Sequence, residues 1–176
     1  MADRSVEAPR AARPQDIRNI ALVGPSGAGK TTLVEAILHA AGRIDRPGTV
    51  EAGTTASDRD PVEQRQGRSV HLTVNPVMVD GIKVNLLDTP GYADFLGPLR
   101  AGLRAADAAL FVVSAADGVD GRTRLLWREC AALGMPRAVA VTKIDHPRGD
   151  YDAVVAQCQE AFGHGVHPAY VPAVEL

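Results

Sequence analysis

The sequence predicts a doubly wound α/β domain whose sheet is mostly parallel, with one antiparallel hairpin strand. Three observations carry this expectation. The runs Ile20–Val23, Ala108–Val113 and Ala138–Val141 are continuously apolar, as in strands covered on both faces, and they alternate with stretches of helical length. Asp80-Gly81 separates two further strand-like runs with a strong short-range hairpin signal. Finally, Gly24-Pro25-Ser26-Gly27-Ala28-Gly29-Lys30-Thr31 matches a Gly-x-x-x-x-Gly-Lys-Thr loop, and it lies between a strand-like and a helix-like segment, the setting that this loop requires.

In chain order, residues 1–16 mix Arg, Asp, Ala and Pro without an apolar stretch, and are expected to form a disordered leader rather than a signal peptide or a spanning helix. A strand is expected over Ile17–Val23 and a helix over Lys30–Ala41. Residues 42–69 form a polar segment with several Gly and Pro and no period. It is longer than most connections in a compact domain, and such segments often order around a ligand. Strands follow at Val70–Val79 and Ile82–Leu87, then a helix around Phe95–Ala105, a strand at Ala108–Val113, a helix at Arg122–Leu133, a strand at Ala138–Thr142 and a helix at Tyr151–Phe162. The three continuously apolar strands are expected at the centre of the sheet, and residues 17–166 are expected to make one domain.

Composition narrows the function classes. The 176 residues are 45% apolar and 23% charged, enough for a sizeable core. With 19 Lys and Arg against 21 Asp and Glu, the net charge of −2 leaves no electrostatic footprint for nucleic acid or for a membrane surface. Cys130 and Cys158 fall inside expected helices, far from any metal-ligand spacing, and read as buried free thiols of a cytoplasmic, monomeric chain. His164 and His167 lack a third ligand nearby in sequence and read as loop residues.

Three loops carry the chemistry. In the first, glycines let backbone N–H groups turn inward around phosphates at a helix N-terminus, Lys30 reaches the β and γ phosphates, the Thr31 hydroxyl is expected to ligate Mg²⁺, and Thr32 is expected among the nucleotide-binding residues. This is the phosphate loop of a P-loop NTPase fold. The second, Asp88-Thr89-Pro90-Gly91, follows the apolar strand Val84-Asn85-Leu86-Leu87. Asp88 is placed there to hold a Mg²⁺-bound water, and the Gly91 N–H to meet a γ-phosphate. The third is Thr142-Lys143-Ile144-Asp145. The Asp145 carboxylate accepts from N1–H and N2–H₂ of guanine, donors that adenine does not pair in this way, while the Lys143 stem covers one face of the ring. Taken in this order, the three loops describe a pocket for GTP or GDP.

On these residues the chain resembles the GTP-binding domain of translational GTPases, and elongation factor G most closely. Asp88-Thr89-Pro90-Gly91-Tyr92-Ala93-Asp94-Phe95 is similar to that family's Asp-Thr-Pro-Gly-His-x-Asp-Phe. Ala115-Ala116-Asp117-Gly118-Val119, Trp127-Arg128 and Gly134-Met135-Pro136-Arg137 resemble further family stretches. The resemblance implies GTP hydrolysis with Mg²⁺ as cofactor, the ribosome as partner of a longer protein, and no membrane. It also implies that residues 167–176 begin an inserted subdomain, with a sixth parallel strand and a further base-contacting loop lying beyond it.

The departures from the family pattern bear on catalysis. Tyr92 stands where the family has a histidine that orients the attacking water, and a phenol cannot become a cation there. Ser69 stands in place of the switch threonine as a Mg²⁺ ligand, with Arg68 in place of an apolar residue. Gly27 replaces an aspartate of the phosphate loop, and Thr142 an asparagine of the base loop. The expectation is a GTPase that hydrolyses slowly or only with a partner, with Lys30, Gly91 and Tyr92 at the reacting phosphate. The rival readings are a non-hydrolysing, GTP-gated regulator or recycling factor of the ribosome, and a P-loop kinase.

Overall fold

The computed structural model describes residues 9–57, 72–91 and 96–172. The strands are β1 (Ile17–Val23), β2 (Thr73–Val79), β3 (Ile82–Asp88), β4 (Ala108–Ser114) and β5 (Arg137–Thr142). The helices are α1 (Lys30–Ala40), α2 (Leu96–Ala105), α3 (Gly121–Ala132) and α4 (Tyr151–Phe162). A short 3₁₀ turn, Pro14–Asp16, precedes β1 and is tied by an Arg13–Asp16 ion pair of 2.9 Å, so described structure begins within the expected leader.

The five strands run in the order β2-β3-β1-β4-β5. All neighbours pair in parallel except β2 and β3, whose hairpin turns at Asp80 and Gly81 with φ of 48° and 81°. Positive φ at both central residues matches the twist of the flanking strands, which explains the Asp-Gly pair. Pro76 is tolerated in β2 because that strand is an edge and needs no second ladder of donors.

Alternate side chains along the central strands feed two cores. Leu22, Leu86 and Val112 pack with Val34 and Leu38 of α1 on one face. Ala21, Val23, Leu87, Ala109 and Phe111 pack with Leu99 and Leu103 of α2 and with Leu126, Trp127 and Cys130 of α3 on the other. Trp127 is fixed from several sides: its ring stacks on Phe162 at 4.3 Å, meets Phe111 edge-on at 4.9 Å, and donates from Nε1 to the Phe162 carbonyl at 3.1 Å. Cys130 and Cys158 are buried free thiols, and burial pushes the Cys158 thiol up to about 11.

One expectation is overturned. The apolar run Ala138–Val141 does not lie at the centre: β5 pairs with β4 alone among the described residues, and its side chains are only partly buried. Apolar continuity reports that both faces of a strand are covered, not that both of its edges are paired. Here α4 and the stretch Gly165–Pro172 line a groove over Ala138–Val141, which supplies partial cover.

Parallel pairing aligns the C-terminal ends of β1, β3, β4 and β5, with Leu22 opposite Asp88 and Ser114 opposite Thr142. The loops after these strands therefore share one edge. The sheet order reverses at β1, the position at which open α/β sheets form a ligand crevice.

Candidate functional site

The loop after β1 is shaped by close approaches. A Cβ on Gly24 would meet the Val112 carbonyl oxygen at 2.5 Å, while Gly27 and Gly29 adopt φ of 76° and 89°, a region that favours glycine. Lys30 opens α1 and folds back, its Nζ donating to the Gly24 and Pro25 carbonyls at 3.0 Å each. Burial lowers its pKa to about 8, opposed by attraction to Asp88 and assisted by repulsion from Arg122.

The end of β3 meets this loop directly. Thr31 Oγ1 donates to Asp88 Oδ2 at 2.8 Å, both side chains being buried. Thr89, fully buried, donates to the Leu22 carbonyl and locks the turn to β1. Gly91 lies against the phosphate loop: its carbonyl accepts from Ser26 N at 3.1 Å, and a Cβ there would fall 2.6 Å from Lys30 Nζ. A hydroxyl and a carboxylate brought together from two elements make a hard oxygen donor pair of the kind Mg²⁺ takes. Tyr92 and Ser69 lie outside the described residues. So do Arg68 and the rest of 58–71.

The loop after β5 is built differently. Thr142 Oγ1 donates to the Ala28 carbonyl at 2.7 Å, joining the third loop to the first; the Val113 carbonyl is farther, at 3.4 Å, and a hydroxyl has one hydrogen to give. Lys143 takes φ of 54°, and Gly149 packs so close that a Cβ would sit 2.6 Å from the Lys143 carbonyl oxygen. Lys143 Nζ and Arg148 each approach Asp117 at 3.6 Å. The Ser114 hydroxyl, donating to Asp117 at 2.7 Å, is the main cause that holds this carboxyl below its usual range. Asp145 is exposed on the turn, and makes no hydrogen bond or ion pair with the described residues. Thr32 is exposed on the first turn of α1.

The structure thus brings the phosphate loop, Asp88, Gly91 and Thr142 into mutual contact, with Lys143 and Asp145 at the same sheet edge. Two residues of this region are not apparent from sequence pattern. Arg122, at the start of α3, donates from Nη1 to the Gly91 carbonyl at 3.1 Å. Glu35 of α1, 1% exposed, accepts from the backbone N–H of Gly48 at 2.7 Å and of Ala56 at 2.6 Å, anchoring the first part of segment 42–69. A charged residue inside an apolar helical stripe is the only hint the sequence offers for Glu35, and Arg122 offers none. No group of three His, Cys, Asp or Glu side chains that could hold a metal occurs among the described residues, and none of their helices is long and apolar enough to cross a membrane.

Residues 15–175 match the family model described as the elongation factor Tu GTP binding domain. The chain is 57% identical to an elongation factor G-like protein of Mycobacterium tuberculosis, over 98% of this chain and 25% of that one. It is 39% identical to an oxytetracycline resistance protein of Streptomyces rimosus, over 81% and 21% of the two chains. With elongation factor G 2 of Streptomyces coelicolor the identity is 36%, over 82% and 21%. The crystal structure of a Thermus thermophilus protein superposes with a TM-score of 0.79 at 46% identity, covering 84% of this chain and 22% of that one. The chain spans about a quarter of the length of the curated relatives it matches.

Proposed function

The chain belongs to the elongation factor Tu GTP-binding domain family, as the GTP-binding domain of an elongation factor G-like translational GTPase, and on that premise we propose that it is the nucleotide switch of a cytoplasmic protein that acts on the ribosome. The observation that carries this reading is the alignment of Lys30, Asp88, Gly91 and Asp145 along one sheet edge around the reversal at β1. Backbone N–H groups of residues 26–31 hold the phosphates, Lys30 neutralises the β and γ charge, and Asp145 selects guanine. Mg²⁺, when bound, neutralises charge on the β and γ phosphates, and Thr31 and Asp88 are the residues that would hold it. Ser69 completes that set in this reading. The kinase alternative has no support from the family assignment.

Hydrolysis is slow in this proposal, and Tyr92 is a principal reason. Phosphoryl transfer asks the protein for water positioning and charge stabilisation, and a phenol brings no cation to the developing charge. In the full-length protein with ribosomes, Tyr92→His is expected to raise single-turnover GTP hydrolysis at least about tenfold, equivalent to about 1.4 kcal/mol of barrier. An unchanged or lower rate with GTP affinity intact would move the cause to Ser69, Gly27 or ribosome docking. A regulator that is gated by GTP without hydrolysing it is the second reading, and Tyr92 is the residue that favours it.

A further inference from the structure

Arg122 has no part in the proposed function, yet it reaches the Gly91 carbonyl, which itself packs against the phosphate loop. Its Nη1 donates to the Gly91 carbonyl at 3.1 Å, and the same oxygen accepts from Ser26 N at 3.1 Å. Its Nε is buried and has no hydrogen-bond partner among the described residues. Lys30 Nζ lies against the same glycine, 2.6 Å from where a Gly91 Cβ would sit, so two cations converge on Gly91. A carbonyl oxygen with a partial charge is a weak match for this donor set. A phosphate oxygen is a strong one, because charge-assisted, forked contacts to guanidinium are shorter and stronger than neutral ones.

We propose that Arg122 is a specificity-determining residue that distinguishes a guanosine triphosphate from a diphosphate at this site. The inference rests on the reading of the site as a GTP pocket. The γ-phosphate and the Gly91 carbonyl compete for one set of donors. The α and β phosphates lie within the cradle of the loop and engage its backbone N–H groups, whereas the γ-phosphate extends towards Lys30 and the loop that follows β3. Gly91 is packed there, with no room for even a Cβ beside Ser26 N and Lys30 Nζ. A γ-phosphate therefore displaces the Gly91 carbonyl from Ser26 N and from Arg122, and takes over the guanidinium, including its unpaired Nε. A diphosphate leaves the Arg122–Gly91 contact in place. Arg122 thus reports the third phosphate to α3 and to the Asp88–Gly91 loop at once.

The test is calorimetric titration of the 176-residue chain and its variants with GDP and with the β,γ-imido analogue of GTP, in Mg²⁺. Arg122→Gln is expected to weaken the imido analogue about tenfold or more while changing GDP by less than about threefold. Arg122→Lys, which keeps the charge but not the fork, is expected to fall between the two and serves as the readout should the glutamine variant fold poorly. Equal losses for both nucleotides would reduce Arg122 to a structural support for Gly91, and no loss for either would also overturn the assignment. ADP is titrated in parallel. A preference for GDP over ADP that survives alongside a non-selective Arg122 result refutes only this inference, whereas an unmodified chain that binds neither guanine nucleotide overturns it together with the reading beneath it.

Discussion

At the phosphate end of the site Lys30, Thr31 and Asp88 are 6%, 8% and 1% exposed, and every one of them is held by another loop or by the backbone. At the base end Ile144 is 46% exposed and Asp145 projects from a turn, joined to the rest by the Thr142–Ala28 hydrogen bond beneath it and by the ion pairs of Lys143 and Arg148 with Asp117. In the proposed reading the difference follows from what each end would recognise. Phosphates are alike in all nucleotides and carry charge, so the groups that meet them gain by being fixed in advance and sheltered from water. A base is told from another base by the pattern of its edge, and one carboxylate in the right place is enough to read two donors. In the proposed reading, strength of binding and choice of base are thereby located in different parts of the molecule.

The largest expected effect is at the buried end. Lys30→Ala should weaken a fluorescent GDP analogue on the order of a thousandfold, about 4 kcal/mol, because at least two charge-assisted contacts are lost. Normal binding by this variant would place the pocket elsewhere. Next in size, Asp145→Asn should weaken GDP about a hundredfold while improving xanthosine diphosphate, without altering thermal stability, since Asp145 makes no hydrogen bond or ion pair among the described residues. Equal affinity of the unmodified chain for ADP and GDP would remove the distinction between the two ends.

Glu35→Ala probes how far the rigid half extends. Two backbone N–H groups, of Gly48 and Ala56, lose their acceptor, so unfolding stability should fall by about 2 kcal/mol and hydrogen exchange across residues 48–56 should speed up. Unchanged exchange there would show that α1 does not hold this segment. The smallest effect is protonic. Lys30 has a folded pKa lowered to about 8 against 10.5, so between these values the unfolded chain binds more protons and this group's contribution to stability rises with pH. Phosphate favours the ammonium, so GDP binding near pH 9 should take up a fraction of a proton, measurable by calorimetry in buffers of different ionisation enthalpy. Proton release would show that Lys30 is not the group that gains a proton on binding.

Most of the phosphate loop, the Asp88–Gly91 turn and the Thr142–Asp145 turn were legible because each is a local pattern at the end of an apolar strand. The local rule also placed α4 at Tyr151–Phe162 and the Asp80-Gly81 hairpin. It failed for β5, whose apolar run says nothing about lateral pairing.

By itself the sequence determined the α/β alternation, the order of the three loops and the chemical types at Lys30, Asp88 and Asp145, because hydrophobic period and loop motifs act over a few residues. Only the tertiary structure decided that Arg122 would meet a carbonyl 31 residues away in Gly91, that Glu35 would clamp backbone 13 and 21 residues downstream, and that β5 would be outermost among the described strands. These are contacts between a side chain and a distant backbone. No periodicity encodes a backbone partner, since every residue presents the same N–H and C=O, and the choice among them is made when the sheet brings its strand ends to one edge.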